Sequence, residues 1–234
     1  MKTRKISLTS PMFEITQKCN MACEHCLRGD ARNVDMSFDI IDAILERVES
    51  IGQIGFTGGE PSLKPEIMRY ILDGCKKRNI PVNSFYLATN AKEIKPEFLH
   101  ILIDWYAYCL SCDPYEAKEM SILAPSADEF HEYVPEENWN VLKAFSFWDD
   151  CKDYMDGKSS ANRILIDEGR AKKLSADDYR KCPLVASKNV PATLWGDSLS
   201  IEELLYFSAD GKVKTCCDTA YDNDDYTIGN VFFN

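Results

Sequence analysis

The stretch Met12-Phe13-Glu14-Ile15-Thr16, followed closely by Cys19-Asn20-Met21-Ala22-Cys23-Glu24-His25-Cys26, decides how the rest of the chain is read. Its first part is a short apolar strand candidate. Its second part sets three thiols on one loop, close enough to reach one metal centre. Iron–sulfur clusters are usually held by four thiolates. A loop offering three leaves one iron open, as in catalytic metal sites with a free position. A zinc ion with a distant fourth ligand, or three ordinary buried thiols, are competing readings of the same spacing. Zinc sites usually pair two-cysteine knuckles, and the nearest second one, Cys109-x2-Cys112, lies on a segment that reads as an alternating strand. Spacing by itself leaves these readings open.

The surrounding composition narrows the setting. The chain has 234 residues, 45% of them hydrophobic, enough for one large domain or one domain with a small appendage. A formal net charge of −11 disfavours partners that need many phosphates neutralised, so no DNA partner is expected. No apolar run of about 18 residues suggests a membrane span. The basic start, MKTRK, lacks the apolar stretch of a secretory signal, so a cytoplasmic location is expected. Ten cysteines in a compartment that keeps thiols reduced point to metal ligation for some of them, rather than to disulfides.

Outward from the cysteine loop, the pattern alternates between strands and helices. Ser37 is placed to cap a helix running to about Ser50, with Ile40, Ile41, Ile44, Leu45 and Val48 on one stripe. Ile54–Thr57 reads as a strand ending in Gly58-Gly59, Pro65–Lys77 as a helix and Val82–Thr89 as a strand. Pro96–Ile103 reads as a helix and Trp105–Ser111 as a fourth strand. Residues 114–140 are less regular. Val141–Trp148 and Arg163–Ile166 are the fifth and sixth strand candidates. Glu202–Phe207 and Lys212–Thr215 form a hairpin candidate around Asp210-Gly211. Alternation of this kind predicts parallel strands with crossover helices. The acidic tail residues Asp218, Asp222, Asp224 and Asp225 read as a solvated loop. Cys75 reads as a small buried hydrophobe on its helix. Cys109 and Cys151 take no role, and His25, His100 and His131 form no ligand series.

The octapeptide Cys19–Cys26 resembles the signature of the radical S-adenosylmethionine (radical SAM) superfamily, with His25 where an aromatic ring is common. Phe56-Thr57-Gly58-Gly59-Glu60-Pro61 resembles that superfamily's glycine–glycine–glutamate–proline element, in the expected order along the chain. The resemblance implies an α/β fold: a partial (β/α)6 barrel over residues 1–178, with a short cysteine-containing extension over residues 179–234. It implies a 4Fe–4S cluster on Cys19, Cys23 and Cys26 whose open iron binds the methionine end of S-adenosylmethionine. Reductive cleavage then gives a 5′-deoxyadenosyl radical that takes hydrogen from a substrate. Gly58, Gly59, Glu60, Asn90, Ser111 and Asp113, at strand ends, are the expected cofactor-binding residues. Gly169-Arg170-Ala171 resembles a segment that lines the adenine. An electron donor such as flavodoxin or ferredoxin is the implied partner.

Ser208–Cys217 (SADGKVKTCC), with the later Ile228-Gly229-Asn230, resembles the opening hairpin of the auxiliary-cluster extensions called SPASM and twitch. Because the rest of the SPASM cysteine series is absent, Cys182, Cys216 and Cys217 are read either as ligands of an auxiliary iron–sulfur cluster, with a fourth ligand from elsewhere, or as a truncated remnant that holds no metal. The hairpin favours a peptide or protein side chain as substrate. Any leader-binding module is expected on a separate chain. A small molecule or nucleotide is the alternative substrate, and a non-catalytic iron–sulfur or zinc protein is the alternative class.

Overall fold

The computed structural model describes residues 5–149, 164–175 and 180–232. The first strand, β1 (Lys5–Thr16), is the spine of the molecule. It pairs in parallel with β2 (Val48–Gly58) on one side and with β8 (Ser198–Phe207) on the other. Strands β3 (Val82–Thr89) and β4 (Ile122–Pro125) continue the parallel sheet beyond β2. Beyond β8, β9 (Lys212–Lys214) and β10 (Thr227–Asn230) add antiparallel strands, and β7 (Ala192–Trp195) pairs with the start of β8. The sheet is open, as a partial barrel requires.

Helices α1 (Phe38–Leu45), α2 (Pro65–Arg78) and α3 (Pro96–Cys112) link successive strands. Ser37 caps α1 by accepting from the Ile40 N–H at 3.3 Å, as its position predicts. The helix is shorter than its stripe suggests, and Val48 belongs to β2. Ile40, Ile41, Ile44 and Leu45 of α1, Ile71 and Leu72 of α2, and Phe98 and Trp105 of α3 join Ile54, Phe56 and Phe85 of the sheet in one core. Within that core Trp105 packs on Phe56, with ring centroids 5.1 Å apart.

The later strands depart from the sequence reading. Trp105–Ser111 is not a strand but the second half of the 17-residue α3. Its aromatic residues favour a strand locally. The buried positions Phe98, Ile101, Leu102, Trp105 and Cys109, however, recur at helical spacing, and packing on the sheet follows that period. The fourth strand is instead Ile122–Pro125. Val141–Trp148 also fails as a strand. Glu136–Lys143 is helix α5, and only Trp148 makes an isolated bridge, to Leu123. Ile164–Ile166 is a strand (β5), but it pairs with β6 (Arg180–Cys182) in a separate small sheet. Arg163 and Cys151 lie outside the described residues.

The C-terminal hairpin forms around Asp210-Gly211, where Gly211 has φ +85, a value that favours glycine. Its first strand runs beside β1 for most of its length, so the segment from Ser198 onward shares the main sheet.

Candidate active site

The cysteine loop leaves the carboxyl end of β1 and is gripped from both sides. Beneath it, the Gly59 N–H donates to the Thr16 carbonyl and the Glu60 N–H to the Lys18 carbonyl, each at 2.8 Å. This contact is close enough to need glycine. Gly58 has φ +143, and a Cβ there would strike the Thr16 carbonyl oxygen; a Cβ on Gly59 would strike that of Lys18. The glycine pair therefore serves backbone-to-backbone packing of the cysteine loop, in addition to lining the cleft above it. Behind the loop, the Arg170 N–H donates to the Cys26 carbonyl and its Nε to the Cys23 carbonyl, both at 2.9 Å. Gly169, at φ +53, lies against Cys26, Leu27 and Gly29.

Glu60 is buried at the junction of β2 and β3. Its Oε1 accepts from Thr89 Oγ1 (2.7 Å) and the Ser62 N–H (3.0 Å), and its Oε2 from the Asn90 N–H (2.8 Å). Burial pushes its carboxyl up, against the hydrogen bonds from Asn90, Thr89 and Ser62 that favour the charged form. Asn90 passes the grip onward: its Nδ2 donates to Asn20 Oδ1 at 2.9 Å and lies 3.9 Å from Cys19 Sγ. Burial raises the Cys19 thiol, and the neighbouring Glu60, Cys23 and Cys26 raise it further, against a backbone hydrogen bond at Met21. Thiolates gathered this way repel one another until a cation joins them.

A cleft of about 280 Å³ opens over Cys19, Cys23 and Cys26, floored by Gly58, Gly59 and Glu60 and walled by Asn90, His131 and Asp218. Among the described residues, the one set of three metal-ligating side chains whose donor atoms all lie within 4.8 Å of one another is His25, Asp128 and His131. The three cysteine sulfurs do not all fall within that distance of one another. Three thiolates on one loop over an open cleft are a donor set that suits an iron–sulfur cluster with one iron left open.

The sequence profile of the radical SAM superfamily matches residues 13–144, more than half of the chain and all of this cleft's floor. The chain belongs to the radical SAM superfamily. Membership makes it a radical SAM enzyme, with a 4Fe–4S cluster and S-adenosylmethionine as its cofactors. Among solved structures, a polyhistidine-tagged form of anSMEcpe with bound AdoMet matches with TM-score 0.53 and 14% identity, over 96% of this chain and 78% of that one. Native anSMEcpe with bound AdoMet and Cp18Cys peptide gives TM-score 0.51 and 15% identity, over 96% and 77%. At such identity the likeness is one of fold. An uncharacterized protein of Methanocaldococcus jannaschii is 34% identical over 85 residues, 34% of this chain and 29% of its own length. The match thus spans less than a third of that relative.

Not every expected residue meets this radical SAM cleft. Ser111 sits on the exposed side of α3, donating to the Tyr108 carbonyl, and Asp113 caps the short helix α4 (Pro114–Met120). The strand end expected to present them is helical, and neither lines the cleft. Gly169-Arg170-Ala171 braces the back of the cysteine loop and is absent from the cleft's lining. Cys182 is exposed on β6 and Cys216 is buried. Cys217 lies against Asp218, and none of these three cysteines lines the cleft.

The fold adds residues that the sequence reading passed over. Arg28, just after the third cysteine, stacks over the Tyr206 ring at 4.9 Å and donates to the Thr219 carbonyl at 3.0 Å. This ties the C-terminal hairpin to the cysteine loop and brings Asp218, read as part of a solvated tail, to the cleft wall. Asp128 and His131 arrive from the loop after β4. Burial would lower the His131 imidazole, but Asp128 and the adjacent Cys23 raise it to about 9. No local motif marks either residue, and the place of His131 in the cleft beside the cysteines is visible only in three dimensions.

Among the described residues, no helix is long and apolar enough to cross a membrane.

Proposed function

We propose that Cys19, Cys23 and Cys26 hold three irons of the 4Fe–4S cluster, and that Gly58, Gly59, Glu60 and Asn90 form the adjoining wall for S-adenosylmethionine. The observation that carries this is the single cleft shared by the three thiols and the Gly58–Glu60 strand end. With cluster and nucleoside bound, one-electron reduction of the sulfonium supplies a 5′-deoxyadenosyl radical that takes hydrogen from a substrate. The chain's own part is to fix the loop, shield the cleft and present the substrate. Glu60 has hydrogen-bonding capacity beyond its three donors and faces the cleft, which suits an ammonium group.

A peptide or protein side chain is the substrate class we favour. The C-terminal hairpin abuts the cleft through Arg28 and Asp218, and anSMEcpe, similar in fold, is described with a bound peptide. The cleft's modest volume favours a small molecule as the second reading. An electron donor of the flavodoxin or ferredoxin class completes the proposal.

The test is anaerobic reconstitution with iron and sulfide, then dithionite and S-adenosylmethionine. The expected product is 5′-deoxyadenosine. Changing Cys19, Cys23 and Cys26 together to Ala removes both the product and the brown absorbance. An unaltered yield in the triple variant defeats the assignment. Iron left in that variant would report a second cluster on Cys182, Cys216 and Cys217.

A further inference from the structure

The turn that ends β3 presents one amide to a sulfur of the cysteine loop. Asn90 is only 4% exposed, and its Nδ2 lies 3.9 Å from Cys19 Sγ, within hydrogen-bonding reach of an atom as large as sulfur. A backbone group fixes which end of the amide faces that way. The Lys92 N–H donates to Asn90 Oδ1 at 2.9 Å, and it could not donate to an NH2 group. The oxygen is thereby held toward Lys92 and the nitrogen toward the cysteine loop. An amide nitrogen carries two protons. One goes to Asn20 Oδ1 at 2.9 Å, and the other remains for the sulfur.

The turn itself is clamped from several sides. The Asn90 N–H donates to Glu60 Oε2 at 2.8 Å, and the Ala91 N–H to Thr89 Oγ1 at 3.1 Å. Asn138, on α5, donates through Nδ2 to the Ala91 carbonyl at 2.9 Å. Lys92 Nζ reaches across to the Asn20 carbonyl at 2.7 Å. Ala91 is held at φ +53, a costly value for a residue with a side chain, which persists only where surrounding contacts impose it. The amide is therefore aimed by the fold and does not depend on pH, since an asparagine side chain does not ionise.

We propose that Asn90 is a positioning residue that donates its second amide proton to the Cys19 thiolate and so raises the reduction potential of the cluster. The inference rests on the assignment of Cys19 as an iron ligand. A donor to a ligating sulfur draws negative charge from it. On reduction one electron enters the cluster from the reductant, while the proton stays on Nδ2. The donor thus stabilises the reduced cluster more than the oxidised one. Hydrogen bonds to cluster sulfurs are among the protein's levers on potential, and the groups that orient the donor belong to the same outer shell.

The experiment is an EPR-monitored redox titration of the reconstituted protein without S-adenosylmethionine, with iron counted in every sample. Asn90→Leu is expected to keep the cluster and to titrate at a more negative midpoint. Asn138→Ala loosens the same turn from α5 without removing the donor, and should leave the midpoint in place. A fully loaded Asn90→Leu protein with the native midpoint overturns the inference, and so does an equal shift in Asn138→Ala. A second measurement needs no variant to fold: HYSCORE spectra of the reduced native protein, with asparagine labelled by 15N at the side-chain amide. A weak nitrogen coupling is expected, and its absence from a fully loaded cluster also overturns the inference. If Cys19→Ala still builds a complete cluster by iron count, the iron-ligand assignment has failed and the inference falls with it.

Discussion

Gly59→Ala is the sharpest probe of how the cysteine loop is held. The added methyl would strike the Lys18 carbonyl oxygen and approach the Cys19 nitrogen, both backbone atoms with no rotamer to give way. Relief requires the loop and the end of β2 to part, which breaks the 2.8 Å hydrogen bond from the Glu60 N–H to Lys18. Overpacking of this kind costs roughly 1–3 kcal/mol. The lost hydrogen bond adds about 0.5–1.5 kcal/mol. For a chain of this size, each kcal/mol lowers Tm by about 2–4 °C, so a fall on the order of 10 °C is expected. Gly229→Ala serves as the control. It has open space around its Cβ and should change stability by no more than about 0.5 kcal/mol. The assay is calorimetry on the unreconstituted proteins, with iron content measured after reconstitution. Because the strain falls on the backbone of Cys19 itself, iron uptake should drop along with Tm. A Gly59→Ala protein with native Tm and native iron content would refute the packing role given to this glycine.

Other substitutions separate structure from site. Asp113→Ala should cost about 0.5–2 kcal/mol through the lost cap of α4 and leave S-adenosylmethionine affinity unchanged, read by calorimetry and equilibrium binding. Ser111→Ala should change neither. Asp42 bridges α1 to α2 through Tyr70 Oη at 2.8 Å and Arg78 at 2.7 Å. The Tyr70 hydrogen bond, aided by Arg78, holds its carboxyl below 3.8. A lowered carboxyl contributes stability above its unfolded value and loses it as pH falls through the folded one. The Tm gap between the native protein and Asp42→Asn should therefore be full above about pH 5 and close below the ordinary carboxylate range. A gap that widens toward acid would contradict this sign.

The front half of the fold was legible because its signals are local and agree with one another. Ser37, the stripe of α1, the Gly58-Gly59 strand end and the proline opening α2 each point the same way as the tertiary structure. Trp105–Ser111 misled because its aromatic residues favour a strand, while the period that packing enforces is helical. The partnership of β1 with β8 leaves no mark in either segment, since parallel pairing of distant strands is a long-range choice. The site divides in the same manner. Cys19, Cys23, Cys26 and Glu60 sit in motifs of fixed spacing. His131 reaches the cleft only because the loop after β4 delivers it, and Asp218 only because the C-terminal segment, held by Arg28, folds back there.

The central claim is that three cysteines hold a cluster whose remaining iron takes S-adenosylmethionine. Its most direct test is the EPR spectrum of the dithionite-reduced, reconstituted protein before and after S-adenosylmethionine is added. This readout does not depend on knowing the substrate. The account predicts a reduced 4Fe–4S signal whose g values shift on addition and which is lost in Cys19→Ala. A fully loaded cluster whose spectrum is unmoved by S-adenosylmethionine at saturating concentration would contradict it.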